Sequence, residues 1–132
     1  MTRVLLDTSA YSAFFRGHEG VIEAVRTADE ILFSPIVLGE LRAGFRGGAH
    51  RLRNERELEV FLTSSRVNTL TIDSETALRY AEIVTFLRRS GTPVPTNDLW
   101  IAASAMQSGA ALLTTDAHFD RIPQVLVNFQ AP

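Results

Sequence analysis

The sequence predicts an α/β fold: a central parallel sheet of about five strands with helices against its faces. Three observations carry this. Short apolar runs alternate along the chain with longer stretches of helical spacing, the pattern of strand–helix–strand crossovers. The first four runs read as continuous rather than alternating, as strands buried on both faces do. Glycine, proline and capping residues fall between the runs, where the chain must turn.

Residues 3–6 form the first strand. Residues 9–15 begin a helix with Thr8 or Ser9 as N-cap, and Gly17 stops it. Residues 19–28 carry Val21, Ile22 and Val25 at helical spacing. Residues 31–33 are the second strand, after which Ser34 and Pro35 read as N-cap and first residue of a helix running to about residue 44. Gly47-Gly48 breaks the chain before a polar helix over 50–63 with a narrow stripe of Leu58, Phe61 and Leu62. Residues 67–72 are the third strand. Asp73 or Ser74 caps a helix to about residue 90, with Leu78, Ala81, Val84 and Leu87 on one side. The proline-rich loop 91–95 is stiff. Thr96 or Asn97 caps the next helix, whose Leu99, Ala102, Ala103 and Met106 face inward until Gly109 ends it. Residues 111–114 are the fourth strand, 116–121 a loop or short turn, and 124–128 the last strand.

The 132 residues suit one domain spanning 1–132, with 45% hydrophobic and 21% charged residues. A core of this size needs no disulfide staples, and there is no cysteine. The first apolar run is too short for a signal sequence or a membrane span, so a soluble cytoplasmic protein is expected. Net charge is −2, which does not advertise nucleic acid. All 13 basic residues are arginine, and Arg42, Arg46, Arg51, Arg53 and Arg56 fall close together. Their guanidinium groups suit phosphate or carboxylate partners, although a solvated helix face would also explain them.

The acids are more informative. Open parallel sheets build sites outside the carboxyl ends of their strands. Asp7 ends strand one and Asp116 follows strand four, which puts both on one edge. Glu40 shares a helix face with Ile36, Val37, Leu41 and Gly44, where an unpaired carboxylate is costly. Asp98 sits in a first helical turn. The helix dipole explains an acid there, yet Thr96 and Asn97 can already cap. Asp7 could be a cap and Asp116 an ordinary loop acid. Four converging carboxylates would repel, and a divalent cation resolves this. Oxygen-only donors favour Mg²⁺ or Mn²⁺. His18, His50 and His118 are scattered without zinc-site spacing, and His118 reads as a loop or substrate-side residue rather than a ligand. Hard cations in carboxylate cages commonly serve phosphoryl chemistry. The helix near Ser9 offers N–H groups to an anion, and Thr8, Ser9 and Thr115 can hold metal-bound water.

The order Asp7-Thr8-Ser9, Pro35-Ile36-Val37-Leu38-Gly39-Glu40-Leu41, Asn97-Asp98-Leu99-Trp100 and Thr114-Thr115-Asp116-Ala117-His118-Phe119-Asp120 resembles PIN-domain ribonucleases, most of all the VapC-type toxins. The match runs through the whole chain. The resemblance implies a three-layer PIN-like fold and Mg²⁺- or Mn²⁺-dependent RNA cleavage. It implies that Asp7, Glu40, Asp98 and Asp116 form the acidic quartet, with Asp7 and Asp98 the main metal ligands. Thr8, Ser9, Asn97 and Thr115 are implied as supporting residues, and Asp120 as an extra acid or a loop-structural residue. It further implies a homodimer silenced by a VapB-type antitoxin. Arg42, Arg46, Arg51 and Arg53 are candidates to grip RNA or that antitoxin. Trp100, off the inward face of its helix, reads as core packing or else as a contact to a dimer mate or partner. Two other readings stay open: a PIN nuclease of RNA processing without a toxin role, and an inactive PIN binding module.

Overall fold

The computed structural model describes residues 1–132. Its elements run β1 (Arg3–Leu6), α1 (Thr8–Phe15), α2 (Glu19–Thr27), β2 (Glu30–Phe33), α3 (Pro35–Arg46), α4 (Arg51–Leu62), β3 (Val67–Thr69), α5 (Ser74–Ser90), α6 (Thr96–Ser108), β4 (Ala111–Thr114), a short 3₁₀ helix (Ala117–Arg121) and β5 (Val127–Phe129). All strand pairs are parallel, in the order β3-β2-β1-β4-β5. The predicted α/β architecture is the one observed.

β1 lies at the centre of the sheet. Leu5, Leu6, Leu112 and Leu113 of β1 and β4 are fully buried, because side chains on both faces of these strands meet helices. Each such leucine contributes about 1.5–3 kcal/mol of burial, which explains why these runs do not alternate. From β1 the chain winds outward to β2 and β3, then returns to lay β4 on β1's other side. The order therefore reverses at the β1/β4 pair, where a crevice opens beyond the carboxyl ends. Leu6 pairs with Leu113 in register, so Asp7 and Thr114 are the next pair of residues along the two strands.

Several expectations are corrected. β3 is a three-residue edge strand, buried only at Val67; its remaining residues face solvent, and Leu70 to Ile72 lie beyond it. β5 begins at Val127 rather than residue 124. Helix α5 turns a different face inward: Thr76, Ile83 and Leu87 are buried, while Leu78 is 66% exposed. Its phase is set by α6, through Tyr80 stacked on Trp100 at 4.1 Å and the Thr76 hydroxyl bonded to the Gln107 side chain. Trp100 thus packs between the two helices. α6 follows Pro95 directly, with no side-chain cap from Thr96 or Asn97. It ends at Gly109, whose φ of +71° is the left-handed conformation that favours glycine.

Candidate active site

The carboxyl edge of β1 and β4 opens into a cleft of about 420 Å³, lined by Asp7, Glu40, Asp98 and Asp116 together with Thr8, Ser9, Ser12 and Arg16. No hydrophobic residue lines it. The four acids arrive from four parts of the chain. Asp7 ends β1, Glu40 stands in the middle of α3, Asp98 lies in the first turn of α6, and Asp116 precedes the 3₁₀ helix.

Asp7 is the most buried of them, at 4% exposure. It is itself the N-cap of α1, the place expected of Thr8 or Ser9. One carboxylate oxygen accepts the Ala10 N–H at 2.8 Å and the Ser9 hydroxyl at 2.7 Å; the other accepts the Thr114 hydroxyl at 2.6 Å. The anion expected at this helix N-terminus is therefore the protein's own carboxylate. Burial nonetheless pushes the Asp7 carboxyl up, against the pull of these donors, and the charge on Asp98 adds to the rise.

Glu40 is half-buried at the rim of the α3 apolar stripe rather than within it, and Gly44 is exposed. Its carboxylate accepts from the Thr8 hydroxyl at 2.6 Å and from the Asn97 side-chain amide at 3.1 Å. Asp98 is half-buried, and desolvation again raises its carboxyl. The neighbouring His118 opposes the rise, while Glu40 and Asp116 reinforce it.

The His118 ring is placed unlike its expected role. Nε2 lies 2.5 Å from an Asp98 oxygen and Nδ1 lies 2.6 Å from an Asp116 oxygen. Donating to both requires the imidazolium form. Donor atoms of Asp98, Asp116 and His118 fall within 4.8 Å of one another, so the ring belongs with the acids. Sequence spacing missed it because the 3₁₀ turn, capped by Asp116 at the His118 N–H, folds the ring back toward α6.

Thr114 was also missed, although a polar residue ending a buried strand beside Asp7 was the available signal. It is fully buried, donates to Asp7 and accepts the Asp116 N–H at 2.9 Å. Thr115 contributes its backbone N–H, to the Ser9 hydroxyl at 3.0 Å. Arg16, just past α1, is the one cationic residue lining the cleft. Asp120 is exposed and does not line it. Arg42 is diverted as well: it pairs with Glu55 and, at 3.1 Å, with Glu59, joining α3 to α4. Arg53 stands 3.7 Å from Glu57, and Arg46 and Arg51 are exposed.

The donor set fits a hard divalent cation. It offers carboxylate and hydroxyl oxygens with the His118 ring beside two of the acids, holds Asp7 and Asp98 charged only against desolvation and neighbouring carboxylates, and contains no thiolate. A cation would relieve both the desolvation and the repulsion that raise these carboxyls.

Comparison with known proteins agrees with this geometry. The PIN domain family model matches residues 4–125. The chain is 36% identical over 94 residues to Ribonuclease VapC4 of Mycobacterium tuberculosis, covering 71% of this chain and 72% of that one. It is 30% identical over 115 residues to Ribonuclease VapC5 of the same organism, covering 87% and 84%. Among solved structures, VapBC2 from Rickettsia felis bound to a DNA fragment from its promoter superposes with a TM-score of 0.87 at 26% identity, covering 98% of this chain and 99% of that one. VapBC-1 from nontypeable Haemophilus influenzae gives 0.84 at 27% identity, covering 97% and 98%. A five-stranded parallel sheet whose switch point gathers four carboxylates, matched by the family model over residues 4–125 and by these relatives, places the chain in the PIN-domain family, among its VapC-type members.

Proposed function

We propose that this protein is a metal-dependent endoribonuclease, with Mg²⁺ as its cation and Mn²⁺ as a substitute, and that it is the toxin of a VapBC-type toxin–antitoxin pair. The observation that carries the reading is the convergence of Asp7, Glu40, Asp98 and Asp116 in a cleft without hydrophobic lining, with Asp7 raised by burial and the Asp98 charge, and Asp98 raised by burial and the charges of Glu40 and Asp116. PIN nucleases are metal-dependent, and relatives named as ribonucleases support the substrate class. Neighbouring structures of VapBC complexes support a VapB-type antitoxin as partner.

Asp7 and Asp98 would be the main ligands, with Glu40 and Asp116 completing the set. The bound cation would polarise a phosphate oxygen and lower the pKa of attacking water. The chain's own residues fix the frame. Thr114 and Ser9 orient Asp7, Thr8 and Asn97 orient Glu40, and the Thr115 N–H fixes the Ser9 hydroxyl. Arg16 stands where it can pair with a phosphate beside the acids. Arg46, Arg51 and Arg53 remain for RNA or antitoxin phosphates and carboxylates, whereas Arg42 serves the fold. Homodimerisation and a cytoplasmic location complete the reading; no helix is long and apolar enough to cross a membrane.

The test is cleavage of RNA with Mg²⁺ against EDTA, alongside induced expression with and without a co-expressed VapB-type antitoxin. Wild type should cut RNA only with the metal and arrest growth only without the antitoxin. Cleavage and arrest that Asp98→Asn leaves intact would sink the proposal.

A further inference from the structure

Three hydroxyl residues of α1 line the acid cleft: Thr8, Ser9 and Ser12. Two are committed to the acids. Thr8 donates to Glu40 at 2.6 Å, and Ser9 donates to Asp7 at 2.7 Å while accepting the Thr115 N–H. Ser12 is half-buried, and its accessible hydroxyl bonds to nothing in the protein. It does not turn back to the carbonyl one turn earlier, as Ser90 and Ser104 do on their own helices. Alanine is the better helix former, so the helix does not account for this hydroxyl.

Arg16 stands one turn beyond Ser12, on the ridge that Thr8 begins. Helical side chains lean toward the N-terminus, which brings Arg16 back to the cleft wall. Its guanidinium pairs with no acid, unlike those of Arg42 and Arg53. Past the cleft, a second hollow of about 180 Å³ opens between α1, α3 and α4, and Ser12 and Arg16 line both. They stand where a strand bound at the acids would leave them. One helical turn advances about 5.4 Å, close to the step from one nucleotide to the next in an extended strand.

We propose that Ser12 reads the 2′-hydroxyl of the nucleotide beside the scissile phosphate while Arg16 holds the next phosphate along, so that this pair selects RNA over DNA, a role that rests on the ribonuclease reading above. The acids and their cation act on a phosphodiester, which RNA and DNA share, so they do not choose between the two. The 2′-hydroxyl makes the difference, and it both donates and accepts. A free serine hydroxyl answers it in either direction. Thr8 and Ser9 do not compete for this role, because their hydroxyls are tied to Glu40 and Asp7. The planar fork of Arg16 suits a phosphate and fixes the register, leaving the sugar between the two phosphates against Ser12.

Fluorescence anisotropy with Ca²⁺ in place of Mg²⁺ reads the binding of RNA and DNA of one short mixed sequence, with uracil in both. Wild type should bind the RNA about three- to tenfold more tightly, the scale of one neutral hydrogen bond. Ser12→Ala should lower RNA affinity to that of the DNA without lowering the melting temperature, and Ser12→Thr should keep the preference. Arg16→Gln should weaken both nucleic acids alike and reduce the slope of log affinity against log salt by about 0.7. With Mg²⁺, one 2′-deoxy substitution beside a mapped cut should slow wild type about three- to tenfold and slow Ser12→Ala no further. A preference for RNA that survives Ser12→Ala, or deoxy and alanine losses that multiply, overturns the role of Ser12 even where RNA is cut. A preference that Ser12→Ala removes, in a protein that cuts no RNA, keeps the 2′-hydroxyl contact and overturns the ribonuclease reading instead. Variants that leave nucleic-acid binding intact and loosen a VapB-type antitoxin overturn the proposal in favour of a partner-protein contact.

Discussion

Thr114→Val removes one hydroxyl and keeps the shape of the side chain. That hydroxyl donates to the Asp7 carboxylate at 2.6 Å and accepts the Asp116 N–H at 2.9 Å, at a site with no exposure. A hydrogen bond to a charged group contributes about 1.5–3 kcal/mol, and stranding the half-buried Asp116 N–H adds up to about 1 kcal/mol. The expected loss is therefore about 2–4 kcal/mol, a large share of the roughly 5–15 kcal/mol that holds a domain together. At about 4 °C per kcal/mol for a chain of this length, melting in EDTA should fall by about 8–16 °C. Thr114→Ser retains the hydroxyl and sheds a methyl, so it should lose only about 1 kcal/mol. The valine penalty should also shrink toward about 1 kcal/mol below the carboxylate range, where Asp7 is neutral. Calorimetry of the three proteins at neutral and acid pH reads all of this. If valine proves no worse than serine, or its penalty is the same at both pH values, Thr114 does not anchor the Asp7 charge.

Asp98→Asn should abolish Mg²⁺-dependent cleavage yet stabilise the metal-free protein. The sign follows from linkage: a carboxyl raised in the folded state favours folding below its ordinary range, and that contribution is lost as pH climbs through the raised value. The stability gap between variant and wild type in EDTA should thus widen from acid to neutral pH, and an unchanging gap would contradict the burial argument. Metal affinity should run the other way, weakening on acidification as protons compete for Asp7 and Asp98, which calorimetric titration can follow. His118→Ala removes the ring that separates Asp98 from Asp116, and should destabilise the metal-free protein by about 1–3 kcal/mol, with Mg²⁺ restoring part of it in a melt. Arg42→Ala, whose side chain is 37% exposed, should lose only about 0.5–1 kcal/mol in urea denaturation and leave RNA cleavage intact, in keeping with its pairing to α4.

The parts of this fold that burial dictates were legible in the sequence. β1 and β4 match their expected residues because three of the four side chains in each are enclosed, Val4, Leu5 and Leu6 in one and Leu112, Leu113 and Thr114 in the other. The quartet was legible because the edge of a parallel sheet is a place that topology defines. What escaped was set by contacts distant in sequence. The phase of α5 depends on Trp100 and Gln107 of α6, not on its own best apolar stripe. His118 reaches Asp98 only through the 3₁₀ turn, and Arg42 is taken up by glutamates 13 and 17 residues away. Thr114 looked like one more strand residue until β4 lay beside β1.

Asp7 has a consequence for how this protein should be disarmed. Both of its oxygens already receive donors: the Ala10 N–H and Ser9 hydroxyl on one, the Thr114 hydroxyl on the other. An asparagine there would turn an NH₂ group toward at least one of those donors, so the same change that removes a proposed ligand would loosen the start of α1. Loss of toxicity in Asp7→Asn would then mix a missing ligand with a shrinking population of folded protein. Asp98, whose side chain caps nothing, separates the two and makes the cleaner inactive standard. The same bonds also tie the two fates of Asp7 together in any lineage: a copy that drifts away from activity still has a folding reason to keep this aspartate. Its presence alone is therefore weak testimony that a given copy can cut.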